Sequence, residues 1–274
     1  MREDAQGYQK RAEEEIEKEE REKAAQQQTK AIEELERARK KLEEILRQLR
    51  EEEKERALAA LLLRCERMLQ MQIEVYQGTL AVDKAFAVNP KAKKDDEVNR
   101  GNVQKSIDLS KREAQIVEEA TKAIQLLEAE GSAVAFPEVF HQMRSDMKHV
   151  ERRLGNADTA AVTQVIEQDI INTLKDMIEA LKKAQQEQQA KKSQPSPPPP
   201  PQPNQKDPLI DLLAELKMIR AMQVRVNSRT KTYGDQYTGE QAKAPEIVKE
   251  LNNLADRQKK IFDVTTNISK GKNR

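Results

Sequence analysis

The chain has two histidines, and each follows a carboxylate by three residues: Glu138-x-x-His141 and Asp146-x-x-His149. Carboxylate-x-x-histidine pairs hold di-iron centres in helical bundles, but there one pair comes from each of two facing helices. Here both pairs fall on one predicted helix, eight residues or ~12 Å apart. At about 100° per residue, both imidazoles lie roughly 140° from the Phe140/Met147 stripe and are expected on a polar face. No other cluster has the spacing of a zinc site, so no metal and no cofactor is expected. Cys65, the only cysteine, falls in an apolar stripe with no general base a turn away, which makes it a small buried hydrophobe. Ser–His and Cys–His nucleophile pairs are hard to build from two histidines placed this way. Glycine-rich phosphate loops, G-x-S-x-G and H-E-x-x-H are absent. The 48 acidic residues offer so many carboxylate pairs that abundance singles out none. No catalytic residue is expected, and the chain is read as a non-enzyme.

The elements that would have to position such groups are helices. Charged residues make up 35% of the 274, aromatics 3%, and there are only 8 glycines. With helical periodicity, that composition belongs to coiled coils and long helices. The fold class is therefore all-α: a long N-terminal coiled-coil helix running into an antiparallel bundle, with a C-terminal helical hairpin after a proline-rich linker. Residues 1–56 form the charged arm, 57–192 a four-helix bundle, 193–207 the linker and 208–274 the hairpin.

In the arm Leu35, Leu42 and Leu49 repeat every seven, with Ala31, Ala38 and Ile45 at the complementary seam position. No Gly or Pro interrupts Gln9 through Gln77, so one helix of about 80 residues is expected, ending at Asn89-Pro90. Between Ala57 and Val88 two apolar stripes appear, one through Leu58, Leu62, Cys65, Leu69 and Tyr76, the other through Leu61, Met68, Val75 and Val82. Further helices are expected over 98–130, from Pro137 to Gly155, and over about 158–190, capped by Asp158 or Thr159. The linker, SQPSPPPPPQPNQKD, has seven prolines in fifteen positions and reads as a semi-rigid spacer. Asp207 and Pro208 then open a helix whose face carries Leu209, Leu212, Leu216, Ile219 and Val226, with Arg220, Gln223 and Asn227 on or beside that seam setting its register. Pro245 opens the last helix, with Ile247, Leu251, Leu254, Ile261 and Ile268 at four-three spacing and Gln258 and Thr265 completing the row.

Net charge is +1, but residues 1–56 carry 15 basic against 18 acidic groups and residues 208–274 carry 13 against 8. A surplus of five with few aromatics is a weak nucleic-acid surface. Nucleic-acid binding by the basic hairpin is thus the second reading, and a metal-binding bundle enzyme the third. No apolar run approaches the ~20 residues of a membrane span. Met1 is followed by Arg2, Glu3 and Asp4. As the sequence stands this points to the cytoplasm, and to the envelope if the N-terminus has been trimmed.

The segments LLLRCERMLQMQIEVYQGT, FPEVFHQMRSDMKHVERRL, EQDIINTLKDMIEALKKAQ and DPLIDLLAELKMIRAMQVRVNSRT, with the charged helix and the proline linker, resemble a group of bacterial helical-bundle proteins of the cell envelope. That resemblance implies an exported protein encoded near proton-channel components of biopolymer-transport type, and it carries no catalytic residue. The leading expectation is a scaffold or adaptor that works through a protein partner or through self-association, with no small-molecule substrate.

Overall fold

The computed structural model describes residues 2–88, 94, 96–193, 208–237, 239 and 241–271. Among them the protein is all-α, with helices α1 (Arg2–Glu17), α2 (Arg21–Ala87), α3 (Arg100–Glu130), α4 (Ala135–Gly155), α5 (Ala161–Ser193), α6 (Leu212–Gly234) and α7 (Pro245–Ser269), and no strand. The chain divides into two compact units, Met1–Arg56 and Ala57–Arg274.

In the first unit the expected single helix is broken. It turns at Lys18–Glu20, where Glu19 takes a left-handed φ of 60° without a glycine. Such a conformation costs about 1–2 kcal/mol. What offsets it is a row of small residues: Ala5, Ala12, Ala24 and Ala31 are all buried. Ala5 and Ala31, and Ala12 and Ala24, lie at equal separations on either side of Lys18, as a hairpin of α1 on α2 requires. The Nζ of Lys30 lies 5.9 Å from the Tyr8 ring centroid and the Arg11 guanidinium 4.7 Å from it, closing the open end of the hairpin. Sequence periodicity missed the turn because alanines at seven-residue spacing are as good for one long helix as for two short ones.

In the second unit α2 buries Leu58, Leu61, Cys65, Met68, Gln72, Val75, Thr79 and Val82. Their three-four spacing is a heptad seam in which two positions are polar. α3 follows a 3-10 turn at Glu97–Asn99 and stops at Gly131, whose φ of 77° suits a residue without Cβ and whose N–H donates to Leu127 O at 2.9 Å. α4 starts two residues before Pro137, which sits in its first turn, and buries Phe136, Phe140, Met143, Met147, Val150 and Leu154. Ahead of α5, Asp158 Oδ1 accepts from the Ala160 N–H at 3.4 Å. Asn89, Pro90 and 194–207 lie outside the described residues.

α6 begins later than expected. Asp207 also lies outside the described residues, Pro208 precedes the helix, and Asp211 is the cap, its side chain accepting from Leu213 N at 3.1 Å. The delay changes the register. Leu209 is buried, with Ile210, in the segment before the helix, while Leu212 and Leu216 turn to solvent. The inward face of α6 carries Ala214, Glu215, Met218, Met222, Val226, Arg229 and Tyr233 instead. Both α6 and α7 pack on α4, and α6 also on α5. On α7, Leu254, Ile261, Val264 and Ile268 are buried, whereas Ile247 and Leu251 are half-buried.

Candidate functional site

Three arrangements in the structure concentrate polar or apolar groups in ways a plain bundle core does not. The first is an ionic junction joining four helices. Asp146 of α4 accepts both terminal nitrogens of Arg229 of α6, at 3.0 and 2.9 Å. It also accepts both terminal nitrogens of Arg257 of α7, one of them at 3.0 Å. Arg229 Nε reaches Asp169 of α5 at 2.7 Å. Burial alone pushes the Asp146 carboxyl up, but the two guanidinium charges and their hydrogen bonds outweigh it and hold the group well below the usual carboxylate range. Arg229 is held correspondingly above its ordinary value. A cavity of about 10 Å³, room for about one water molecule, lies beside the junction. A carboxylate that stays ionised and already accepts four N–H bonds is saturated. Its chemistry is to clamp α4 to α6 and α7.

The second is a polar layer inside the α2, α3 and α5 seams. Gln72 Nε2 donates to Glu113 Oε2 at 3.0 Å, and Thr79 Oγ1 donates to Glu167 Oε1 at 2.7 Å. All four side chains are fully buried. Gln72 Oε1, Glu113 Oε1 and Glu167 Oε2 have no hydrogen-bond partner. Burial pushes Glu113 well above the ordinary value, and the charge of Glu167 adds to it. Burial brings Glu167 up to about 7, against the Thr79 hydrogen bond. Burial thus favours the protonated form of both carboxyls, closed off from solvent. Glu215 stands in a related position: it crosses from α6 to the start of α4, where the backbone N–H groups of Val134, at 3.1 Å, and Ala135 donate to its carboxylate. Burial raises its carboxyl to about 7, with those N–H bonds pulling the other way. Leu209 N donates to Ser132 Oγ at 2.7 Å at the same corner. The stretch after the proline-rich segment is thereby fastened to the α3–α4 corner.

The third is apolar. On α2 of the first unit Ile32, Leu35, Leu42, Ile45, Leu46 and Leu49 are all about half exposed or more, Leu42 at 61%. Ala31, expected on this row, is buried on the hairpin side, and Ala38 is half-buried. The bare row is therefore Ile32, Leu35, Leu42, Leu46 and Leu49, with Arg39 at the one charged position.

The residues singled out for chemistry fall elsewhere. His141 Nε2 is 3.1 Å from Glu128 of α3 on the surface. His149 is half-buried rather than solvent-facing: α7 packs over it, bringing Glu250 to 3.7 Å, and Tyr233 donates to the same Glu250 at 3.5 Å. Burial lowers the His149 imidazole, opposed by Glu250, and favours its neutral form. The two histidines face different helices and do not converge. Among the described residues no group of three or more His, Cys, Asp or Glu is arranged to hold a metal ion. Cys65 is buried, and burial pushes its thiol up to about 12, which leaves almost no thiolate. Gln223 and Gln258 exchange amide hydrogen bonds at 2.8 and 2.9 Å, pinning the register of α6 against α7, and Gln223 also donates to Asn227. Arg220 points to solvent.

The polar residues of these interior junctions that periodicity overlooked are Gln72, Thr79, Glu113, Glu167, Glu215, Arg229 and Arg257. Six of them share one signal, a polar residue where the helix's buried face requires an apolar one: Gln72 and Thr79 between Met68, Val75 and Val82; Glu113 seven residues from Ser106 and Ala120; Glu167 between Thr163 and Ile170; Glu215 and Arg229 on the inward face of α6.

What these features define is a class: an all-α protein with buried charged junctions and an exposed aliphatic row. Comparison with known proteins finds no match to any family model, curated protein or solved structure. No described helix is long and apolar enough to cross a membrane.

Proposed function

We propose that the protein is a non-enzymatic scaffold or adaptor that acts through lateral contacts between helices. The observation that carries this reading is the row Ile32, Leu35, Leu42, Leu46 and Leu49, large aliphatic side chains at three-four spacing exposed on one face of α2. Water around five such side chains is released only when a second helix covers them. Leaving the row bare forgoes about 25 cal/mol for each Å² of apolar surface that could be buried. In the other unit the ionic junction and the Glu215 cap tie α4, α5, α6 and α7 together, which suits a body that must transmit or hold position.

Affinity capture of the intact chain from its own cells, beside a variant carrying Leu42→Glu and Leu49→Glu, tests the reading. Both substitutions are on exposed positions of a helix within the single chain, so its helix content by circular dichroism should hardly change. The expected result is a stoichiometric protein partner, either a further copy or another chain, recovered with the wild type and lost with the variant. Recovery of the same set with both would refute it.

A further inference from the structure

We infer that Gln72, Thr79, Glu113 and Glu167 form a proton-operated latch: with both carboxyls protonated α2 closes on α3 and α5, and loss of the protons releases the 68–82 stretch of α2 while α3, α4 and α5 stay packed. Hydrogen bonding within the layer calls for a proton. Thr79 Oγ1 lies 3.0 Å from Val75 O and 2.7 Å from Glu167 Oε1, yet a hydroxyl carries one hydrogen. With Glu167 ionised, Thr79 can donate to it only by giving up Val75 O. With Glu167 protonated, Thr79 donates to Val75 O and the carboxyl donates to Thr79 Oγ1, so both contacts are made. Glu113 accepts from Gln72 Nε2 alone, and one oxygen each of Glu113, Glu167 and Gln72 is buried with no hydrogen-bond partner.

Among the described residues no cation reaches these carboxyls. The charges that act on Glu113 of α3 are those of Glu167 of α5 and Glu151 of α4, both acidic, and α2 presents the neutral Gln72 and Thr79. Arg112, beside Glu113, turns outward to Glu74 of α2 at 3.6 Å. Arg153 of α4, which reaches α5 one turn before Glu167, is held by Thr163 and Asp158. Two ionised carboxylates in this seam would be unpaired and would repel each other, a cost that water entering between the helices relieves. The opening falls on α2, because both carboxyls reach across to it while α3 stays tied to α4. There Ser106 and Ser110 donate to Leu154 O at 2.7 Å and to Glu151 O at 2.8 Å. α2 is itself tied on either side of the layer, by Arg64 to Glu119 at 2.6 Å and by Thr159 to Asp83 at 3.2 Å, which bounds the released stretch. Burial brings Glu167 from 4.5 to about 7. The latch is therefore at full strength well below pH 4.5, weakens as pH rises through that interval and is spent above about 7.

Hydrogen exchange on the full chain at pH 6 and pH 8.5, read as protection factors so that the intrinsic effect of pH on amides cancels, tests the latch. Protection over 68–82 is expected to fall about tenfold between the two pH values, the share that Glu167 alone contributes. At pH 8.5 it is expected to lie at least about tenfold below that of α4 over 143–154, with a weaker dependence on added urea, since only part of the unit opens. Glu113→Gln with Glu167→Gln is expected to give equal protection of 68–82 at both pH values. Infrared difference spectra of the wild type at pH 6 are expected to show a protonated-carboxyl band that the double variant lacks. Wild-type protection over 68–82 that is the same at both pH values overturns the inference, as does exchange of α2 and α4 with equal protection and equal urea dependence. So does a wild type without the band, or a folded double variant that still loses protection at pH 8.5. Should the double variant fail to fold, the wild-type measurements decide alone.

Discussion

Asp146→Ala is expected to lower the stability of the unit Ala57–Arg274 by about 3–5 kcal/mol, the usual cost of removing one partner from a buried ion pair. The size follows from what is left behind. Arg229, which is buried, keeps only Asp169, and Arg257 loses both of its bonds to the carboxylate. A guanidinium cannot shed its proton to escape that environment. The loss is therefore the penalty for unpaired charge and not the net worth of the junction, and a joint replacement shows the difference. Asp146→Leu with Arg229→Met and Arg257→Leu removes every charge of the central clamp, and such exchanges are often neutral or stabilising. Urea unfolding of the two variants checks the pair of expectations. Equal losses for both would mean that packing around α4, and not charge pairing, dominates there.

The second large effect depends on pH. Glu167 has an ordinary carboxyl value of 4.5 when exposed, and burial in the fold brings it to about 7. Well below pH 4.5 the group is protonated in both states and its ionisation costs the fold nothing. As pH rises from 4.5 to 7 the unfolded chain releases the proton while the folded chain retains it, so ionisation favours unfolding. The loss is complete above about 7 and amounts to about 3 kcal/mol, from 1.36 kcal/mol per unit. Glu167→Gln keeps an oxygen for the Thr79 hydroxyl and removes the charge. At pH 8 it is expected to be more stable than wild type by up to about 3 kcal/mol, and at pH 4 to be indistinguishable from it. Urea midpoints at the two pH values decide, and an equal gap at both would assign the effect to packing. Glu113, raised in the same direction by burial, adds to the wild-type loss. Asp146 works in the opposite sense. Its carboxyl lies below the exposed value of 3.8, so its contribution is present above that pH and fades on acidification.

Much of the all-α character was legible, because it rests on patterns with a single physical reading. Gly131 ends α3 with a left-handed residue, and the Phe136-to-Leu154 face of α4 is buried throughout. Where two arrangements satisfy the same pattern, the sequence could not choose. Alanines at seven-residue spacing served a long helix and a hairpin equally, and only the turn at Glu19 separates them. The register of α6 differs from its leucine pattern for a related reason. Leucine does not mark the buried face there: Leu212 and Leu216 are exposed while the smaller Ala214 and the flexible Met218 and Met222 pack inward. The cap at Asp211 fixes that choice, and it follows a docked segment that no periodicity announces. The polar layers were legible in part. Gln72 and Thr79 are the two polar positions in the buried row from Leu58 to Val82, and that interruption is visible in the letters. Their partners were not. Pairing Gln72 with Glu113, or Asp146 with Arg229 and Arg257, needs the relative rotation of helices far apart in the chain, and this is set by packing.

Hydrogen exchange over residues 35–49 most directly tests the claim that this row is a contact surface. Amide exchange is compared between the isolated chain at high dilution and the assembled state recovered from its own cells. The account predicts that amides from Leu35 to Leu49 become at least about tenfold slower in the assembled state, while those of the buried α3 stretch 116–127 do not change. Unchanged exchange at 35–49, with protection gained on another face, would contradict it.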